Sequence, residues 1–451
     1  MCGLLRPTER ENEQGVVRRQ WTGRGHGQIL HGAPDVSAAD STIADMLAPY
    51  RSVLATPGAM AFCAAGLLSR LPISTMTLGI VLLVEAPTGS YGFAGAVSAT
   101  YMVGAAVVSP AMARLIDRLG QHRVLLPAYL AFALSLVWLV LALELGWHDL
   151  FLYCAAAVAG VAYPPVGACI RARWSSALGA GPALHTAFSI ESMVDELIFI
   201  LGPVLVTVLA IQAHPALALL AVAGLASTGG WWLSTQRATE PPVRGVSRGS
   251  HVSRLPWAWL APMTLAAACL GSLFGSTEVV TVAFAEEQGA TEVTGLLLAG
   301  WAAGSLIAGF VTGAVQWAQS ALQRYRWGTL GLAAAVTPLP FVDNLWALGV
   351  ALFVAGFAIS PTVVATMSLV EATVPAGRLT EGISWVSTGI AFGIAPGAAV
   401  AGRLVDGFGA STGFVVPVVG GVLAALIAWS TGQRHVSADH DNVAGEVAAR
   451  H

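Results

Sequence analysis

The sequence predicts an all-α polytopic membrane protein of twelve transmembrane helices in two parallel six-helix repeats. Three observations carry that expectation: a composition too apolar for water, apolar segments of bilayer-spanning length, and arginines confined to alternate connections. Of the 451 residues, 55% are hydrophobic and 10% charged, and the mean hydropathy is +0.70. A soluble domain carries about 25% charged residues and needs them to cover its surface. The 22 positive residues are all arginine, which matches the drift of a GC-rich genome and says nothing about mechanism.

A helix needs about 20 mostly apolar residues to cross a bilayer, and charged or Pro/Gly-rich breaks divide the chain into twelve such segments. Residues 1–52 are polar and lack an apolar stretch of signal-peptide length, so they read as a disordered cytoplasmic tail. Span 1 (57–84) begins at Pro57-Gly58 and stops before Glu85. Spans 2 (91–113) and 3 (124–145) flank a loop holding Arg114, Arg118 and Arg123. Span 4 (149–170) lies between Asp149 and Arg171, and span 5 (183–211) follows the break Gly179-Ala-Gly-Pro182. Span 6 (215–235) ends before Gln236-Arg237, where a polar linker, 236–256, begins. Spans 7 (258–285) and 8 (292–316) are separated by Glu286 and Glu287, and span 9 (327–342) is short. Spans 10 (344–370), 11 (379–404) and 12 (412–431) complete the series before a polar tail, 433–451. The expected domains are therefore an N-terminal half, 53–235, and a C-terminal half, 257–432. The runs are continuous rather than alternating, which favours helices over a barrel.

With the N-terminus inside, 20 of the 22 arginines fall in the tails or cytoplasmic loops, as the positive-inside rule requires. Only Arg403 falls at an outer end, and only Arg70 falls within a span. Both termini are therefore expected in the cytoplasm, and the protein in the cell's inner (plasma) membrane.

The halves also match each other. Ser74-Thr75 aligns with Ser276-Thr277 at an offset of 202, and Gly95 and Gly104 with Gly295 and Gly304 at 200. Val158-Ala-Gly-Val-Ala-Tyr-Pro-Pro165 aligns with Val354-Ala-Gly-Phe-Ala-Ile-Ser-Pro361 at 196, and Gly202-Pro203 with Ala395-Pro396 at 193. The matches keep their order while the offset falls slowly, which chance does not readily produce. Parallel repeats with a site between them describe a rocker-type secondary transporter. The loop Ala113-Arg-Leu-Ile-Asp117-Arg118-Leu-Gly120-Gln-His-Arg123 then resembles the Gly-x-x-x-Asp-Arg-x-Gly-Arg-[Arg/Lys] loop of the major facilitator superfamily. The resemblance covers residues 52–432 and is nearest to its 12-helix drug and metabolite exporters. Ala113 and Gln121-His122 depart from the pattern, and Trp317 stands opposite Asp117 in the second half. The resemblance implies a cytoplasmic gating role for Asp117, Arg118, Gly120 and Arg123, with Asp117 capping a neighbouring helix or pairing with arginines. A simple membrane anchor explains Arg114 and Arg123 equally well.

Ionisable side chains inside a span are functional candidates by default. Arg70 in span 1 shares its depth with Glu191, Asp195 and Glu196 in span 5, and Glu278 lies in span 7. Glu191 and Asp195 share one helix face at i,i+4, while Glu196 points about 100° away. Their second-half counterparts are Ser384, Thr388 and Gly389, so the charge is confined to one half. Three acids against one arginine leave at least one without a partner, able to carry a proton. A static ion pair is the alternative for Arg70 with Asp195. Gly202, Pro203 and Pro396 are candidate hinges in spans 5 and 11.

Several classes are excluded. The net charge of −3 comes with no basic stripe, so nucleic acid is not a partner. No phosphate-binding loop is present, so ATP is not the driver. Cys2, Cys63, Cys154, Cys169 and Cys269 lack the spacing of a metal site or a disulfide framework, so neither metal nor cofactor is expected. No catalytic constellation points to an enzyme. The expected partners are a small-molecule substrate, protons and the lipid bilayer, and the expected state is a monomer. The leading reading is a secondary transporter working by alternating access, with proton-coupled efflux of a drug or metabolite. A proton-coupled uptake symporter for an organic anion, with Arg70 as substrate clamp, and a non-transporting membrane sensor remain alternatives. The arginine that the exporters carry in helix 4 is missing from Val158–Ile170.

Overall fold

The computed structural model of the chain describes residues 46–243, 254–290 and 293–431. The expected tails, apart from 46–52, and linker residues 244–253 lie outside the described residues. The described residues are helical with no strand. The spans are α1 (Ala59–Thr88), α2 (Tyr91–Leu119), α3 (Gln121–Glu144), α4 (Asp149–Leu178), α5 (Pro182–Gln212) and α6 (Pro215–Thr235). In the second half they are α7 (Trp257–Glu287), α8 (Thr294–Ala314), α9 (Ala321–Val336), α10 (Leu345–Thr373), α11 (Leu379–Phe408) and α12 (Ala410–Ser430). Eleven of these are long and apolar enough to cross a bilayer. The twelfth, α9, has 16 residues. It starts earlier than expected because Ser320 and Gln323 form a capping box, and Pro338 follows its end. Side chains such as Leu134, Ile211 and Leu296 point outward at 67%, 75% and 74% exposure, which only a lipid surround makes favourable. The protein is a polytopic membrane protein.

The packing repeats. In the first half α1 packs on α2, α5 and α6, α3 on α4 and α6, and α2 on α4. Each of these pairs recurs six helices later, as α7 with α8, α11 and α12, α9 with α10 and α12, and α8 with α10. The halves meet through α2 with α11 and α5 with α8, joined by α5 with α10 and α4 with α11. Small residues permit these approaches. At the α7–α11 crossing, a Cβ on Gly393 would collide with the Ala268 carbonyl oxygen. Gly393→Val is therefore expected to abolish recovery of folded protein, whereas Gly402→Ala, which would meet nothing within 4 Å, should leave the yield unchanged. Equal yields of the two variants in detergent would contradict this packing.

Four spans are broken, α12 at Phe414 just after its start and three others deeper in. α1 divides into Ala59–Arg70 and Pro72–Thr88, because Pro72 lacks the donor that a continuous helix requires. The Ser69 carbonyl at that break accepts hydrogen bonds from the hydroxyls of Tyr129 (2.9 Å) and Tyr163 (3.1 Å). α4 divides at Tyr163-Pro164-Pro165 and resumes at Val166. α10 is interrupted at Phe357-Ala358. By contrast, α5 and α11 continue through Pro203 and Pro396, so the expected hinge residues lie inside unbroken helices, and Gly202 packs against Ser74 and Thr75.

Candidate functional site

The two breaks in the first half position a charged cluster. Arg70 closes the first segment of α1 and is fully buried. Its Nε donates to the Gly66 carbonyl at 3.1 Å, which turns the guanidinium towards α5. There Arg70 Nη2 lies 2.7 Å from Glu191 Oε2, and Nη1 lies 2.9 Å from Asp195 Oδ1. The second segment of α4 supplies two further groups. Arg171 Nη2 donates to Asp195 Oδ2 at 2.8 Å, and Trp174 Nε1 donates to Glu191 Oε1 at 2.8 Å. The Cys63 thiol lies 3.7 Å from the same Glu191 oxygen. Glu191 is fully buried, whereas the Asp195 side chain keeps 30% of its exposure.

This geometry corrects two expectations. Hydropathy ends span 4 at Ile170 and places Arg171 and Arg173 in a cytoplasmic loop, but α4 continues to Leu178 and both side chains turn inward. Arg171 thus stands in helix 4, one residue past the Val158–Ile170 stretch. The surplus of acid also differs: two arginines satisfy two carboxylates, and Glu196 is the acid left over. Glu196 bonds instead to Ser305 Oγ of α8 at 2.5 Å, across the boundary between the halves. Arg173 has a separate task. Its guanidinium donates to Gln121, Thr239 and the carbonyls of Leu233 and Gln236, tying the end of α6 to α3 and α4. Glu278 projects from α7 as an exposed residue and takes no part in the cluster.

A second group lies at the end of the molecule that holds the α2–α3 loop. Asp117 Oδ2 accepts the Glu381 backbone N–H at 2.9 Å, in the first turn of α11. The Glu381 side chain is buried between two arginines, with Arg114 Nη2 at 2.7 Å from Oε1 and Arg378 Nη2 at 2.6 Å from Oε2. Gly120 ends α2 at φ +92, and beside it His122 pairs with Glu240 at 2.8 Å. Arg118 lies in the last turn of α2 and Arg123 in the first turn of α3, both exposed. One layer deeper, Ser109 meets Ser384 at 2.7 Å and Thr388 reaches the Ala106 carbonyl. Along the other seam, Thr186 donates to the Gly313 carbonyl and Ser192 meets Ser360. His185 meets the Thr312 carbonyl at 3.1 Å through Nε2 and Arg324 at 2.6 Å through Nδ1. These bonds require Nε2 to carry the proton and Nδ1 to accept from Arg324. Glu371 of α10 accepts from Ser175 Oγ of α4 at 3.2 Å.

Among the described residues, these bonds between the halves all lie from the depth of Glu196 to the α2–α3 loop end. That end is closed by hydrogen bonds along two seams, and among the described residues none joins the halves at the opposite end. Asp117→Asn removes the negative charge at the N-terminal end of α11, worth about 0.3–1 kcal/mol, and should slow turnover while leaving abundance unchanged. Wild-type turnover in that variant would reduce the loop to a membrane anchor.

Sequence reading missed Arg171, Trp174, Glu381 and Ser305. Glu381 carried a usable signal, since an acid two residues into a span and three after Arg378 is an i,i+3 pair at a helix start. Ser305 carried none.

The family model for the Major Facilitator Superfamily matches residues 59–335. A search of curated proteins found no match. Among solved structures, the human organic anion transporter MFSD10 is 17% identical, with 82% of this chain and 98% of that one covered at a TM-score of 0.64. A bacterial homologue of the iron transporter ferroportin, in an outward-facing state, is 13% identical, with 82% and 98% covered and a TM-score of 0.65. The Escherichia coli fucose:proton symporter is 14% identical, with 83% and 99% covered at 0.62. At these identities the likeness is one of fold.

Proposed function

We propose how this chain, which belongs to the Major Facilitator Superfamily, uses its charged cluster. It is a secondary transporter of a small solute and not an enzyme. Our reading is proton-coupled efflux by alternating access, with Glu196 as the residue that exchanges the proton. One observation carries it: Glu196 sits beside two acids that are each held by arginine, has no cationic partner among the described residues, and is bonded across the seam to Ser305. An acid in an ion pair resists protonation, because the proton must displace its cation. Glu196 can exchange a proton without breaking such a pair, and parting of the halves alters its surroundings. Arg70, Arg171, Glu191 and Asp195 form the fixed scaffold that holds this turn of α5 in place. The distribution of arginines supports placing the sealed end in the cytoplasm.

Uptake of an organic anion on Arg70 is less favoured, because such a substrate would have to displace Glu191 or Asp195. Proteoliposomes with a pH dye inside separate the readings, with ethidium as the cationic probe and fluorescein as the anionic one. The expected result is proton movement opposite in direction to ethidium. Proton movement in the same direction as fluorescein would support uptake, and probe transport without proton movement would contradict coupling.

A further inference from the structure

Residues 46–54 form a helix ahead of α1, and it makes contacts in the second half. Tyr50 is 6% exposed and Val53 2%. The Tyr50 ring lies flat on Phe310 of α8, with centroids 5.2 Å apart and planes 5° from parallel. Its hydroxyl donates to the Phe310 carbonyl, with the Gly309 carbonyl 3.5 Å away. Gly313, one turn further on, provides the room: a Cβ there would collide with the Tyr50 hydroxyl and with Ser189 of α5. Tyr50 is thus inserted at the loop end of the α5–α8 crossing, the seam that also carries His185 and Thr186.

The link from this helix to α1 is stiff. Ala55 N donates to the Arg51 carbonyl, Thr56 N to Val53 and Ala59 N to Thr56, at 2.9, 3.1 and 2.9 Å. Gly58 closes the turn at φ +80, a conformation that favours glycine. Helix 46–54 therefore moves with α1, while Phe310 and Gly313 move with α8. Parting of the halves at this end has to break both the ring stack and the hydrogen bond.

We propose that helix 46–54 is a clasp, in which Tyr50 fastens the first half to α8 while this end is closed and withdraws whenever it opens. The inference rests on the alternating-access reading above. The clasp adds to Asp117 and Glu381 on the other seam, so each seam has its own fastening. Its contribution is a bias in the closed-to-open equilibrium, which slows opening of this end in the wild-type protein.

The test uses the full chain in proteoliposomes, with the native cysteines replaced and Ser384→Cys introduced. Ser384 is fully buried on the α2–α11 seam, so its labelling by a membrane-permeant maleimide reports opening of the whole end rather than a local change at residue 50. Tyr50→Phe keeps the stacked ring and loses the hydroxyl, and should raise the labelling rate roughly threefold to tenfold. Tyr50→Ala loses both and should raise it at least about thirtyfold. Asp117→Asn is the reference for opening through the other seam. Faster labelling with Asp117→Asn but not with either Tyr50 variant would overturn the clasp and leave alternating access standing. No acceleration with any of the three would overturn opening at this end, and the clasp with it.

Discussion

Arg70→Ala is expected to destabilise the protein by about 3–5 kcal/mol, because removing one partner of a buried ion pair leaves the other charge uncompensated. Glu191 is fully buried, and without Arg70 its hydrogen-bonding partners among the described residues are Trp174 Nε1 and the Cys63 thiol at 3.7 Å. Asp195 suffers less, since Arg171 still holds it at 2.8 Å. The asymmetry makes the expectation specific. Arg70→Ala with Glu191→Gln should recover much of the lost stability, because the uncompensated acid is gone, whereas Arg70→Ala with Asp195→Asn should recover little. Thermal unfolding of the two double variants and their parents in detergent measures the coupling. Equal recovery in both would mean that Glu191 and Asp195 share Arg70 evenly, contrary to the burial of the one and the partial exposure of the other.

Glu196→Gln is expected to abolish proton-coupled transport while leaving the protein folded and able to exchange substrate down its own gradient. Glutamine keeps a hydrogen-bonding partner for Ser305 Oγ, so the seam survives and only the exchangeable proton is lost. Ser305→Ala should have the milder effect, since it removes the contact across the seam but leaves the acid. Full coupling in Glu196→Gln would move the proton to Asp195 or Glu278, two acids within spans that retain exposure. Glu191→Gln is no substitute for this test, because it unbalances the ion pair with Arg70 and conflates coupling with folding.

The fold was legible because bilayer physics is local. Apolar runs of the right length and arginines on alternate connections locate the spans without reference to tertiary contacts, and the repeat in packing follows the repeat in sequence. The errors came where tertiary partners override hydropathy. Arg171 and Arg173 read as the end of span 4, yet α4 continues because Asp195, Gln121 and the carbonyls after α6 satisfy them. The boundary of α9 moved because a capping box starts the helix ahead of its apolar run. At the site, the depth of Arg70, Glu191 and Asp195 was readable from their distance along parallel helices. The partner of Glu196 was not, because Ser305 lies in the other half and a single serine in an apolar helix carries no signal of what it faces.

The central claim is that the two halves rock so that one end opens as the other closes, with protonation of Glu196 setting the balance. Spin-label pairs across the halves test it directly, at exposed positions 123 and 323 on the sealed end and 88 and 288 on the opposite end. Distances are read by pulsed electron resonance at high and low pH. The account predicts that the 123–323 distance grows as the 88–288 distance shrinks, and that Glu196→Gln removes the pH dependence of both. Distances that stay fixed with pH, or that lengthen together at the two ends, would contradict it.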